Sequence, residues 1–302
     1  MNTEQKYFDR LIYGTSFIEK YRNVYVNHLS KMEFNHGDTR KRGVMRSDAS
    51  IFVMMTQDAI PADEHLIEEL IKPLEKKGVA ASYARQLAAQ DCNPIERYTR
   101  DYNYPPVSRM KSAADIDKLG IKTYFCSNVC AAYNREIYDS LGGFIKHTIF
   151  NEDMIYAAGA IKAGYKIAYA AEAKVIHSHN YTCAQQFHRN FDLGVSQADH
   201  PEVFAQVPSE GEGIRLIKST TAHLWSSKKK RFIPYLYINS FCKYMGFLLG
   251  KHYKKLPVGL VLKCTMSRTY WEQTGRIRSS EKIDATKGYG KTEEERIRHS
   301  DK

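Results

Sequence analysis

The fold class is predicted from the run Ser50-Ile-Phe-Val-Met-Met-Thr56, which is followed by Gln57-Asp-Ala-Ile-Pro61. Seven mostly apolar residues have the length of a buried strand, and the polar and proline-containing segment behind them ends it. Residues 79–83 form a second apolar run of strand length, and residues 63–77 between the two carry apolar side chains at helical spacing. This alternation of strand, helix and strand predicts an α/β sheet with parallel segments.

Further elements are predicted on both sides of this unit. Residues 154–163 have helical spacing and end at Gly164, and residues 166–170 and 174–177 have the composition of two short strands. Residues 24–29 also predict a short strand. Together these elements predict a mixed sheet flanked by helices.

The charge of the chain divides it into segments. The net charge is +11, yet residues 1–209 hold 25 basic and 25 acidic residues, whereas residues 210–302 hold 20 basic and 9 acidic ones. We therefore expect an α/β domain over residues 1–209 and a helical, basic and aromatic extension over residues 210–275. Residues 276–302 are charged and poor in apolar residues, which predicts a mobile tail.

Composition excludes several classes of protein and indicates a compartment. A 302-residue chain that is 43% hydrophobic is neither disordered throughout, nor collagenous, nor a small disulfide scaffold. The six cysteines form no CxxC pair, which is typical of buried thiols in a reducing environment. The first ten residues lack the apolar core of a signal peptide, so we expect a cytoplasmic protein.

Asp58 is the first candidate site residue, because it lies just past the end of an apolar strand. Ligands of open α/β sheets bind outside the carboxyl ends of the strands, where a carboxylate can hold Mg²⁺ or Mn²⁺ against a diphosphate. The alternative is a turn or helix-capping aspartate ahead of Pro61.

Two further motifs lie at the edges of predicted elements. Glu152 and Asp153 open a predicted helix, where acidic residues are favoured by the helix dipole but one could also face a crevice as a general base. His177 and His179 follow a predicted strand and share a face in an extended segment, which suits either metal ligation or a buried structural role.

From about residue 33 to residue 194 the chain resembles the family-2 glycosyltransferases, and within them the bacterial rhamnosyltransferase-like branch. The resemblance covers a little over half of the chain and rests on nine segments: residues 33–40, 55–61, 83–86, 94–100, 120–128, 142–144, 152–153, 177–181 and 189–194. It implies a GT-A fold, a nucleotide-sugar donor, a divalent metal ion and inversion at the anomeric carbon. The expected reaction is transfer of a sugar, rhamnose by the branch, to a hydroxyl of a surface polysaccharide or a lipid-linked intermediate, with dTDP-rhamnose as the expected donor.

The resemblance also implies roles for individual residues. Asp58 matches the acid that binds the metal and the diphosphate, as a single acid in Thr-Gln-Asp-Ala. One acid leaves room for a further ligand, for which His179 is favoured over His177. Asp153 matches the catalytic base, with Glu152 beside it as an orienting or acceptor-binding group. The remaining candidates are Arg40, Arg85 and Gln86 for donor binding, and Ser127 and Asn128 as additional site residues.

The chain departs from the family at its beginning. Family members open with a strand carrying a Pro-x-Tyr-Asn-type motif, a helix and a second strand, and no such unit is found ahead of Tyr7. We therefore expect the N-terminal part of the nucleotide-binding half to be missing. This leaves open a non-catalytic remnant that binds a sugar or a lipid, and an unrelated metal hydrolase is a third hypothesis.

Residues 232–250 form a strongly apolar and aromatic stretch between basic clusters. Pro234, Asn239 and Lys243 interrupt it, so a spanning helix is not expected. An amphipathic helix on the inner face of the membrane, which would fit a lipid-linked acceptor, and a helix packed on the catalytic domain remain alternatives. Nucleic-acid binding is not expected, because no signature of a nucleic-acid-binding module accompanies the charge.

Overall fold

The computed structural model describes residues 20–275 except residues 22, 31, 206, 208 and 209. Two expectations concern residues outside the described part of the chain. They are the mobile tail over residues 276–302 and the missing N-terminal part of the nucleotide-binding half. The helices are α1 (His36–Val44), α2 (Leu66–Ile71), α3 (Pro94–Asn103), α4 (Ile116–Leu119), α5 (Arg135–Ser140), α6 (Glu152–Lys162), α7 (Cys183–Asp199), α8 (Pro201–Phe204), α9 (Glu210–Ser226), α10 (Ile233–Lys251), α11 (Val258–Cys264) and α12 (Arg268–Gln273). The strands are β1 (Ile51–Met55), β2 (Ile60–Pro61), β3 (Val79–Leu87), β4 (Arg109–Lys111), β5 (Cys130–Asn134) and β6 (Lys166–Ile176).

The six strands form one mixed sheet. Its order is β1-β5-β3-β6-β2, and β4 also pairs with β6. Only β3 and β6 run parallel, whereas β5 lies antiparallel between β1 and β3. The predicted mixed sheet flanked by helices is therefore what the chain forms, with a smaller parallel part than strand–helix alternation alone would give.

Alternating side chains give the sheet two buried faces. One face carries Tyr83, Tyr133 and Tyr169 and packs against the helical segment around Tyr156 of α6. The opposite face carries small side chains, and Leu66, Leu70 and Leu74 from α2 and the turn behind it cover it. A sheet covered on both faces leaves its strand ends as the place where loops meet.

The structure corrects three element predictions. Residues 24–29 form no strand, since only His28 makes an isolated bridge. The helix predicted over residues 63–77 is confined to α2 and a 3₁₀ turn over Lys72–Glu75, because Pro73 has no N–H to continue an α-helix. The two strands predicted over residues 166–177 are one strand, β6, with a register irregularity opposite Ala84 and Arg85 of β3.

The C-terminal helices pack on α7. Gly246 and Gly250 of α10 lie so close to α7 that a β-carbon on either would clash with a carbonyl oxygen of that helix. A shared core of α7, α11 and α12 is built around Phe191, Val261 and Trp271. The basic extension is thus a helical layer in direct contact with the helix that follows the sheet. Within the described part of the chain, no helix combines the length and the apolar character needed to cross a bilayer.

Candidate active site

Asp58 and the two histidines meet because β2 pairs with the end of β6. Ile60 lies opposite Ile176 in this antiparallel register, so the residues just before β2 face those just after β6. Asp58 therefore lies beside His177 and His179 although it is distant from them in sequence. Asp58 Oδ2 is 3.5 Å from His177 Nε2 and 3.3 Å from His179 Nε2.

This cluster has the donor atoms of a metal site. The two Nε2 atoms are 3.1 Å apart, and one ligand atom from each of the three residues lies within 4.8 Å of the others. Among the described residues, no other group of three or more histidine, cysteine or acidic side chains meets this description. A carboxylate oxygen and two imidazole nitrogens suit Mn²⁺ and related divalent ions, so the residues present fit the expected metal.

Gln86 fixes the tautomer of His177. Arg100 Nη1 donates to Gln86 Oε1 at 2.6 Å, and since arginine only donates, this identifies the oxygen of the amide. The same oxygen lies 3.0 Å from His177 Nδ1, so that nitrogen carries the proton. The lone pair of His177 is consequently on Nε2, directed toward Asp58, which is the arrangement of a metal-ligating histidine supported by a second hydrogen bond.

The environment keeps both histidines neutral. Burial, reinforced by the charge of Arg100, lowers the pKa of His177 to about 4. Burial likewise lowers the pKa of His179, although the charge of Asp58 opposes this. The pKa of Asp58 lies below its ordinary value. Partial burial alone would raise it, but hydrogen bonding by Thr56 and the two histidines have the larger, opposite effect. An ionised carboxylate and two neutral imidazoles are the forms that bind a divalent cation.

Glu152 and Asp153 form a second cluster at the N-terminus of α6. Asn151 precedes them with a φ of 65°, and its side chain donates to Ser196 on α7 at 3.2 Å. Asp153 Oδ2 accepts from the backbone N–H of Asn128 at 2.8 Å, while Glu152 Oε1 accepts from Asn128 Nδ2 at 3.1 Å. One asparagine just ahead of β5 thus holds both carboxylates.

The two carboxylates titrate in opposite directions. Burial would raise the pKa of Glu152, but Arg40, with Nη1 2.6 Å from Glu152 Oε1, and the nearby His36 hold that pKa below its ordinary value. Burial and the negative charge of Glu152 raise the pKa of Asp153 to about 7. A carboxyl group that titrates near neutrality can accept a proton at physiological pH, which is the property of a general base.

Hydrogen bonds and the backbone between Ser127 and Asn128 together link the two clusters. Gln86 Nε2 donates to Ser127 Oγ at 3.0 Å, and Ser127 is followed by Asn128, which holds the acidic pair. From the oxygen end of Gln86 the path continues to His177. The metal-type cluster (Asp58, His177 and His179) and the acidic pair (Glu152 and Asp153) therefore form one polar network at one end of the sheet.

The remaining candidate residues lie in different places in the structure. Gln86, Ser127 and Asn128 belong to the connecting path, and Arg40 is engaged by Glu152 rather than by the metal-type cluster. Arg85 joins neither cluster, because its Nε donates to the Tyr104 carbonyl at 3.1 Å. Successive residues of a strand point to opposite faces, so the side chains of Arg85 and Gln86 diverge. A donor-binding role for Arg85 stays a prediction without a contact that supports it.

Arg100 and Arg189 were not among the predicted site residues. Arg100 binds Glu96 on its own helix at 2.6 Å as well as Gln86, and the Glu96–Arg100 spacing of four residues was the available signal. Arg189 of α7 lies over the ring of Phe150, 4.6 Å from its centroid. Both arginines lower the pKa values of the two histidines, although Arg100 is paired with Glu96.

Comparison with known proteins identifies the family. The family model described as glycosyl transferase family 2 matches residues 15–142. The O-antigen chain rhamnosyltransferase WbaN of Salmonella anatum is 42% identical over 269 residues, which cover 86% of this chain and 85% of that protein. The O-antigen chain rhamnosyltransferase RfbN of Salmonella typhimurium is 42% identical over 252 residues, covering 83% and 80%. The chain belongs to the family-2 glycosyltransferases.

Two solved structures resemble the chain at a lower level. The mannosyltransferase PcManGT of Pyrobaculum calidifontis, in complex with GDP-Man and Mn²⁺, aligns with a TM-score of 0.47 and 13% identity, covering 86% of this chain and 69% of that one. TarS 1-349 of S. aureus, in complex with UDP-GlcNAc, aligns with a TM-score of 0.40 and 10% identity, covering 80% and 78%.

Family membership confirms the main expectations from the sequence. The chain is a glycosyltransferase, as the resemblance to the rhamnosyltransferase-like branch implied. The α/β, GT-A-like fold class is confirmed together with it. The roles of the individual site residues stay predictions.

Proposed function

We propose that the chain transfers a rhamnosyl group from dTDP-rhamnose, with inversion at the anomeric carbon, to a hydroxyl of an O-antigen-type surface polysaccharide or its lipid-linked intermediate. The reaction takes place on the cytoplasmic side of the membrane. The observation that carries the proposal is the set of polar contacts that links Asp58, His177 and His179 to Glu152 and Asp153 through Gln86 and the adjacent residues Ser127 and Asn128. The high similarity to two O-antigen chain rhamnosyltransferases supports the choice of sugar and acceptor class.

Asp153 is the base of this reaction. Its carboxylate takes the proton of the acceptor hydroxyl while that oxygen forms a bond to the anomeric carbon and the bond from that carbon to the diphosphate breaks. The proton ends on Asp153 and the electron pair leaves with the nucleoside diphosphate. A pKa of about 7 leaves a substantial fraction of Asp153 ionised at neutral pH, and general base catalysis of this kind contributes about 10²–10⁴-fold.

Asn128 and Arg40 prepare the two carboxylates for different tasks. The backbone N–H of Asn128 orients Asp153, and Arg40 keeps Glu152 ionised and in place. An ionised Glu152 fixes the negative charge beside Asp153. The pKa of Glu152 is lowered and that of Asp153 is raised, so Glu152 stays ionised while Asp153 can take up a proton.

Asp58, His177 and His179 would hold Mg²⁺ or Mn²⁺, which neutralises charge on the departing diphosphate when bound. His177 reaches this role with its tautomer set by Gln86. Arg100 and Arg189 add fixed positive charge on the same side, which favours binding of an anionic donor before any bond is broken.

A binding and turnover experiment tests the proposal. The melting temperature of the purified chain should rise with dTDP-rhamnose plus Mn²⁺ by more than with either alone, because ligands that bind only the folded state stabilise it. With a lipid-linked glycan acceptor, the product should carry the new sugar with inverted anomeric configuration by NMR.

Other outcomes of the same experiment would contradict the proposal. Release of free rhamnose at the same rate with and without acceptor would identify a hydrolase. Donor-induced stabilisation without any transfer would identify a binding protein, and a response to a different nucleotide-sugar would replace the proposed donor.

A further inference from the structure

The outer face of α10 is a continuous aromatic stripe. Tyr237, Ile238, Phe241 and Tyr244 recur at helical spacing, and each is between 53% and 63% exposed. The buried side chains of the same helix are on the face toward α7 and α9. More than half of each of these four residues is exposed in the described part of the chain. Four adjacent large apolar groups in water are an unusual feature for a surface with no partner.

The segment that contains this stripe is uniformly basic. Residues 213–271 hold twelve lysine and arginine residues and no aspartate or glutamate. Lys229, Lys230 and Arg231 are exposed directly ahead of α10, where Lys228 is partly exposed. Lys254 and Lys255 are exposed just behind it, and Lys254 forms an ion pair with Asp199 at 3.1 Å. The stripe is therefore bounded by positive charge at both ends.

We propose that α10 and the basic run Lys228–Arg231 bind the surface of an anionic lipid bilayer, with α10 lying in the plane of the interface. Tyrosine and tryptophan are favoured at the boundary between head groups and acyl chains, and basic residues near an anionic leaflet add electrostatic attraction. A helix with an aromatic face and cationic flanks has the features of an interfacial helix.

The charge pattern favours a bilayer over a second copy of the chain. Contact between two such faces would place the basic run Lys228–Arg231 of one copy against the basic segment of the other, and residues 213–271 contain no acidic side chain that could compensate. An anionic lipid surface supplies the complementary charge.

The contact would bring the candidate active site close to the membrane. The hydroxyl of Tyr235, near the start of α10, donates to the Tyr181 carbonyl at 3.4 Å. The ring of Tyr181 stacks on His179 with 4.8 Å between centroids. The metal-type cluster is thus one residue contact away from the membrane-facing helix. Access of a lipid-linked acceptor to the candidate active site is inferred from this placement and rests on the proposed function, whereas membrane binding itself does not.

Vesicle flotation with the full chain tests the proposal. The chain should float with vesicles of phosphatidylcholine containing phosphatidylglycerol and not with phosphatidylcholine alone. The double variant Lys229→Glu/Lys230→Glu should reduce the partition coefficient by at least about 30-fold. The matched control Lys76→Glu/Lys77→Glu changes an exposed lysine pair behind α2 and should leave partition within about twofold of the parent chain.

A second pair of variants tests the aromatic stripe separately. Phe241→Ser/Tyr244→Ser should also reduce partition by at least about tenfold, since both exposed rings lose their contact with the interface. Ile67→Ser, at an exposed apolar position of α2, is the control and should float like the parent chain. All variants alter exposed side chains, so an unchanged melting temperature verifies that they are folded.

Intrinsic fluorescence provides an independent measurement. The chain has two tryptophans, of which Trp271 is 3% exposed and Trp225 is 61% exposed. Lys230 Nζ lies 3.7 Å from the centroid of the Trp225 ring, so this tryptophan reports on the basic run. Anionic vesicles should shift its emission to shorter wavelength, brominated lipids should quench it, and both effects should be absent in Trp225→Phe.

Four results would overturn the proposal. One is failure to float with anionic vesicles, and another is flotation that survives both double variants. A dimer that Phe241→Ser dissociates would assign the face to a second copy, and retention on RNA or DNA that equals vesicle binding would assign it to nucleic acid. None of these readouts requires donor or turnover, so a failed membrane proposal remains distinguishable from a failed rhamnosyltransferase assignment.

Discussion

The metal-type cluster and the acidic pair at the same end of the sheet place aspartate in opposite environments. Asp58 is half-exposed beside two neutral histidines, and its pKa lies below the ordinary value. Asp153 is half-buried next to an ionised glutamate, and its pKa is raised to about 7. The first environment maintains a charge that can hold a cation, whereas the second favours uptake of a proton. The protonation properties of the two aspartates are thus separated by burial and by the nearest charges.

Asp153→Asn should have the largest effect on turnover. The amide keeps the size of the side chain but has no carboxylate to take the acceptor proton, so kcat should fall by about 10³-fold or more. Donor binding in the presence of Mn²⁺, measured by calorimetry, should stay within about twofold because the metal-type cluster is untouched. Asp117→Asn, an exposed change on α4, is the control. Comparable loss of donor binding in Asp153→Asn would erase the distinction between the clusters.

Asp58→Asn should reverse this pattern. Removing the only charged ligand of the metal-type cluster should weaken Mn²⁺-dependent donor binding and lower kcat/KM by about 100-fold. Asp48→Asn, at an exposed position ahead of β1, should leave both quantities unchanged. Titration of the variant with Mn²⁺ at fixed donor concentration provides the measurement. A normal Mn²⁺ response in Asp58→Asn would rule out the metal-ligating role.

Sequence patterns predicted those candidate residues whose position depends on a single strand or helix. The apolar run before Asp58 and the acidic start of α6 are visible in the sequence, and so is the two-residue spacing of His177 and His179. Their meeting depends on β2, a strand of only two residues, Ile60–Pro61, which no periodicity reveals. Local sequence therefore indicated the candidates, and the pairing of β2 with β6 determined which of them meet.

Errors in the sequence-based prediction have the same physical origin. Residues 24–29 have strand composition, but the hydrogen bonds of a strand come from a neighbouring strand, and here only His28 finds a bridge. Arg100 was missed because its role depends on the position of α3 over Gln86 rather than on its own surroundings in the sequence. Secondary-structure propensity depends on the residues within a segment, whereas strand pairing and the contacts of Arg100 depend on neighbouring segments in the folded chain.

Gln86→Leu tests whether support of His177 matters to the metal-type cluster. Loss of the acceptor at Nδ1 frees the tautomer and orientation of the ring, which should weaken Mn²⁺ affinity by about tenfold. Gln86→Glu keeps oxygen acceptors for His177 and Arg100 and should restore most of that affinity. Gln90→Leu, at an exposed position beyond β3, should have no effect. A defect of equal size in Gln86→Leu and Gln86→Glu would show that His177 support is not what Gln86 provides.

Glu152→Gln should have the smallest effect on rate and should change the pH profile. Because Asp153 must be ionised to act as a base, kcat/KM of the parent chain should rise with pH through about 7 and then level off. The negative charge of Glu152 raises the pKa of Asp153, so its removal should move the midpoint to lower pH, and Arg40, left without its partner, should move it further in the same direction.

The quantity to compare is the pH midpoint of the kcat/KM profile, not the maximum value of kcat/KM. Glu152→Gln alters the charge next to Asp153, and any change in acceptor binding would scale the whole curve without moving its midpoint. Glu136→Gln, an exposed change on α5, should leave the midpoint where it is. A midpoint that stays near 7 in Glu152→Gln would mean that burial alone sets the pKa of Asp153 or that another group governs the ascending limb. The neighbouring carboxylate would then have no part in separating the two clusters.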